Sequence, residues 1–67
     1  MDMDTIEAIF SQLSHGHNDM MAAAHHWNED RELAELLLRG AIIHHAKADY
    51  LAAGESYETL IAAYLGE

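Results

Sequence analysis

The sequence predicts an all-α protein: an antiparallel helical hairpin with a short third helix, dimerising into a helical bundle. Three observations predict it. The chain has no proline and only four glycines, so little interrupts helix formation. Its apolar residues recur in steps of three and four. Side chains able to cap a helix stand where those periodic stretches begin.

The first helix is expected over about 4–27. Asp4 can accept from the free N–H groups of a first turn, and Glu7 stands three residues on, the aspartate variant of a capping box. From there Ile6, Phe10, Leu13, His17, Met20, Ala24 and Trp27 alternate steps of four and three, the spacing of one buried seam. The seam passes through His15-Gly16-His17. Glycine costs up to ~1 kcal/mol in a helix interior, so a kink at Gly16 is the alternative to one continuous helix.

Asn28 supplies a cap for a second helix, expected over 29–53, and Glu29 and Asp30 suit the positive end of its dipole. Its core positions are read as Leu33, Leu37, Ala41, His44, Ala48 and Leu51. Leu36, Leu38, Ile42, Ile43 and Tyr50 flank them, so this helix has two faces to bury. Glu35 and Arg39 form an i, i+4 pair on what remains exposed. Gly54 is a stop, Ser56 a cap, and a third helix is expected over 57–65 with Leu60, Ile61, Tyr64 and Leu65 apolar.

The short connection makes the two long helices antiparallel neighbours. The 67 residues are read as one domain, 1–67. A chain of this size buries only about 60% of the surface its unfolded form exposes, and it needs a second source of stability. With no cysteine, disulfides and thiolate zinc sites are excluded. Histidine-based metal binding or self-association remains. A dimer that completes a four-helix bundle is the simplest way to cover both apolar faces of the second helix.

In length and hairpin layout the first fifty residues are similar to the small dimeric plasmid copy-number regulators of the Rop family. The likeness is one of architecture with no shared motif, and none of that family's functional residues is carried over. Its RNA-binding role also conflicts with the charge of this chain. Twelve acids against three bases give a net charge of -9, which repels phosphate backbones and anionic membranes. The expected partner is another protein, without direct nucleic-acid or membrane binding. No secretory leader or membrane-spanning run is recognisable, so the expectation is a soluble, cytoplasmic protein.

The six histidines are the chief candidates for a chemical site. In a hairpin turning near residue 30, positions whose numbers sum to about 60 face each other, which sets His15 and His17 level with His44 and His45. Imidazoles projecting inward from facing helices are how bundle metal sites are built. His17 and His44 are the expected inner ligands, with His15 and His45 as alternates, and zinc, nickel or iron the metals such a set would take. Asp19 and Asp49 add an i, i+4 carboxylate to each side. The competing readings are ordinary packing histidines and a pH-responsive seam. His25 and His26 are expected to cover the end of the bundle beside Trp27.

The remaining candidates concern interaction. Met20 and Met21 read as core filling or as an adaptable partner surface. Tyr50, Tyr57 and Tyr64 recur every seven residues and suit an interface. With Trp27, Leu36 and Ile43 these make up the expected partner or dimer surface. The acidic clusters Asp2, Asp4, Glu7 and Glu29, Asp30, Glu32, Glu35 read as a solvated face or as an imitation of phosphate. Catalysis has little support, since Ser11, Ser14 and Ser56 sit in no nucleophile motif and no phosphate loop is present. The leading expectation is an acidic helical module that binds and modulates or inhibits a protein, similar in general character to phage- and plasmid-type inhibitors. The alternative is a histidine-rich metal-binding or pH-responsive bundle.

Overall fold

A computed structural model describes residues 2–66, with the side chain of Tyr57 outside the described set. It contains three helices: α1 Met3–His26, α2 Arg31–Ala52 and α3 Tyr57–Leu65. No strand occurs among the described residues, and no helix is long and apolar enough to cross a membrane. α1 and α2 pack as a hairpin, and α3 folds back on α1 at its open end.

Each start has a capping side chain, though two differ from expectation. Asp2, two residues before Asp4, caps α1 by accepting from the Thr5 N–H at 2.8 Å. That N–H holds the Asp2 carboxyl below its usual range, with the Thr5 side chain lowering it further. α2 is capped by Asp30, not Asn28, through the Leu33 N–H at 3.1 Å. The intervening residues close a turn in which the N–H groups of Glu29 and Asp30 donate to the His26 carbonyl. Ser56 caps α3 as expected, accepting from the Thr59 N–H. The stop of α2 begins one residue before Gly54, because Ala53 itself is left-handed with φ 53°.

α1 is continuous, and Gly16 is buried within it. The seam therefore differs from the one drawn through the largest residues. On α1 the buried positions are Ile6, Ile9, Gly16 and Ala23, and on α2 they are Ala34, Ala41, Ala48 and Ala52. His17, Met20, Ala24 and Trp27, expected in the seam, are exposed, and so is Leu33. The cause is steric. Gly16 and Ala23 on α1, and Ala34, Ala41 and Ala48 on α2, stand at seven-residue steps, and helices meeting on such small residues approach too closely there for larger ones. A Cβ on Gly16 would stand 2.9 Å from His45 Cδ2 and 3.3 Å from the Ala41 carbonyl oxygen. Gly16 against Ala41 also fixes the register, in which facing positions sum to about 57 and not 60.

Among the described residues, a cluster with larger side chains lies at the open end. Ile9 and Leu60 are fully buried there with Ala48 and Ala52, and Phe10, Leu13 and Leu51 pack around them. Tyr64 rests its ring 4.8 Å from that of Phe10, which ties α3 to α1.

Two glycine substitutions should separate opposite effects. Gly16→Ala is expected to lower stability by about 1–3 kcal/mol through overpacking, despite alanine's better helix propensity. Gly40→Ala meets only the tip of the Asp19 carboxylate, at 2.9 Å, which can swing aside. It should leave the melting temperature unchanged or raise it. Equal losses in thermal melts of the two variants would refute the seam. Ala53→Gly should stabilise by about 1 kcal/mol, because it removes the left-handed strain on a Cβ-bearing residue. Denaturant titration measures it.

Candidate functional site

Small residues on the inside leave the large apolar ones outside. Leu36, Ile43 and Tyr50 follow one another at seven-residue steps along α2, exposed by 57%, 54% and 85%. Successive steps of seven turn a helix by only ~20°, so these three form a single outward stripe. Arg39 and Lys47 are interspersed along it. Ile43, Ala46, Lys47, Tyr50 and Leu51, with Gln12 from α1, line a shallow groove of about 420 Å³ whose walls are almost wholly apolar. Met21 and Ile42 are exposed by more than half their surface, and Met20 nearly so. The methionines are thus surface residues, which overturns their reading as core. Tyr64 is half exposed beside Phe10, while the Tyr57 side chain lies outside the described residues. The stack of Trp27 is with Arg31, whose guanidinium lies 3.9 Å over the ring and whose Nε donates to the Trp27 carbonyl.

The histidines separate into different environments. His44, half-buried, points across the hairpin, and its Nδ1 lies 2.6 Å from Gln12 Oε1. An amide oxygen only accepts, so Nδ1 carries the proton, and Nε2 is left facing Asp19 Oδ2 at 3.7 Å. His15 lies level with His44 as expected, its ring 5.5 Å away and nearly parallel. His45 fills the notch above Gly16, where its Nε2 is buried with no hydrogen-bond partner. An unmet polar atom of this kind costs about 1–3 kcal/mol. His17 is exposed and does not meet His44, which corrects its assignment as an inner ligand. The reason is the seam itself, which turns on Gly16 and rotates position 17 outward. Among the described residues no three His, Asp or Glu side chains gather into a metal-ligand set. His25 and His26 pack edge to face at the turn, 5.1 Å apart.

Two contacts were not anticipated from the sequence. Gln12 as the partner of His44, and Asp19 seated over Gly40, both follow from the register set by Gly16 and Ala41. The seven-residue recurrence of glycine and alanine was the signal that would have found them. In the second, the Asp19 carboxylate lies where Gly40 of the other helix makes room.

The neutral His44 ring should therefore be the Nδ1–H tautomer. Long-range ¹H–¹⁵N NMR spectra read this directly, and Gln12→Ala should shift the ring toward the Nε2–H form. An unchanged tautomer in that variant would remove Gln12 from the cluster. In comparisons with known proteins, no family, no curated protein and no solved structure matches the chain.

Proposed function

We propose that this chain is a small acidic helical interaction module that binds another protein and modulates or inhibits it. One observation carries the reading: glycine and alanine fill much of the seam between the two long helices, while Met20, Met21, Leu36, Ile42, Ile43 and Tyr50 stay on the outside. Exposed apolar residues scattered singly are ordinary, but stripes of them mark surfaces that are covered in use. The partner's own surface is basic around an apolar centre. Residues 1–30 contain no Lys or Arg, while Asp2, Asp4, Glu7, Asp19, Glu29 and Asp30 lie along α1 and the turn. A basic surface that ordinarily holds nucleic acid suits such a face.

A second reading, a pH-responsive hairpin, is supported by His44 alone. Its ring spans the two helices between Gln12 and Asp19, with His15 stacked beside it and His45 next in sequence. Comparing melting temperatures at pH 7.5 and 5.5 for the wild type and His44→Gln tests it, since an identical difference in both proteins sinks this reading.

For the leading reading, the protein fused to an affinity tag should retain a defined protein from its source cells at moderate salt. Met21→Ser with Ile42→Ser should lose that protein while keeping a wild-type circular dichroism spectrum. Retention unaffected by the substitutions would place the contact elsewhere, and no specific retention at all would end the proposal.

A further inference from the structure

Charge identifies what covers the outer stripe of α2. This helix holds every Lys and Arg of the chain, Arg31, Arg39 and Lys47, set against three acids, Glu32, Glu35 and Asp49. It is neutral, so the net charge of -9 resides wholly in the rest of the chain. Two copies meeting by another face bring like charges together, whereas α2 against α2 avoids that repulsion. Along the stripe the acids Glu32 and Glu35 stand at the N-terminal end, and Arg39 and Lys47 follow. A parallel pair sets each charge beside its own copy. In the register that sets Leu36 level with Ile43 of the other chain, an antiparallel pair sets Lys47 of each chain level with Glu32 of the other and opposes the two helix dipoles.

Area agrees with charge. The folded chain is a rod of 43 by 19 by 17 Å that exposes 4890 Å². A compact monomer of its 7.5 kDa mass exposes about 4,200 Å². The excess, roughly 600–700 Å², approaches the ~800 Å² that each partner buries in a standard interface. The groove beside Ile43, Lys47 and Tyr50 lies at the level to which antiparallel pairing brings Leu36 of the other chain.

From these observations we infer that a second copy of this chain occupies the α2 stripe in antiparallel orientation, with Leu36 of each copy seated in the groove of the other. The product is a four-helix bundle with α2 helices inside and acidic α1 helices outside. This rests on the reading of the chain as an interaction module. It assigns one of the module's surfaces to self-association and leaves the edge bearing Met21 and Ile42 for a different protein.

The chain contains no cysteine, so introduced thiols report orientation directly. Mixing Glu32→Cys protein with Lys47→Cys protein in a glutathione redox buffer should give the mixed disulfide several-fold faster than either protein cross-links with itself. Light scattering of the wild type should return twice the 7.5 kDa chain mass, and Ile43→Lys should return a single chain with unchanged helicity. If Ile43→Lys unfolds, Lys47→Glu decides: it should weaken the dimer, and mixing it with Glu32→Lys protein should restore association. A monomeric wild type, preferential like-with-like disulfides, or a dimer indifferent to these substitutions overturns the inference. A monomer that still retains a partner through Met21 and Ile42 overturns the dimer alone. A dimer that retains no other protein overturns only the function proposed above.

Discussion

The close approach of α1 to α2 at Gly16 is the constraint on which the rest of the molecule depends. A Cβ there has no room against His45 and the Ala41 carbonyl. Three of the four positions seven residues away are small as well, Ala23 on α1 and Ala34 and Ala48 on α2; the fourth, Ile9, lies at the open end where Leu60 of α3 packs on it. Register, the exposure of His17 and the crossing of His44 to Gln12 all follow from that contact. None of them requires a ligand or a special backbone geometry.

Close packing has a cost in amphipathicity. A helix pair normally hides its bulkiest apolar residues, and this one hides its smallest, apart from the cluster around Ile9 and Leu60 beneath α3. The displaced hydrophobic surface is ordered, lying along the neutral helix as a stripe of regular pitch. With three bases balancing three acids on α2, and three acids and no Lys or Arg on α1, the hairpin presents two electrostatically distinct sides. This division gives the interaction reading its physical content.

How much of this was legible in the sequence depends on which residues set the pattern. The helices themselves were legible to within about two residues, because proline is absent and caps bracket each segment; even the displaced caps at Asp2 and Asp30 are aspartates near the expected positions. The inward face of α2 was also legible at Leu37, Ala41, His44, Ala48 and Leu51, all buried or half-buried. The seam of α1 was legible at Ile6, Phe10 and Leu13, buried or half-buried, but not beyond them, since hydrophobicity ranks Met20 and Trp27 above Gly16 and Ala23, whereas fit ranks them the other way. An error of one position on a helix is a rotation of ~100°, enough to turn His17 from facing His44 to facing water. His15 level with His44 was legible, but the pairing of Gln12 with His44 was not, because it depends on a register that the wrong seam misplaces by about three residues.

An interior of alanine and glycine also determines how the fold responds to temperature. The heat capacity of unfolding scales with apolar area newly exposed, about 12–15 cal/mol/K per residue in ordinary domains. Helices joined through methyl groups and bare backbone bury less of that area in the isolated hairpin, so its heat-capacity change falls below that range and its stability curve is shallow. Cohesion of the single chain then rests more on helical hydrogen bonds and dispersion between closely spaced backbones than on the ordering of water. Cooling accordingly weakens it less than it would a hairpin sealed with leucine.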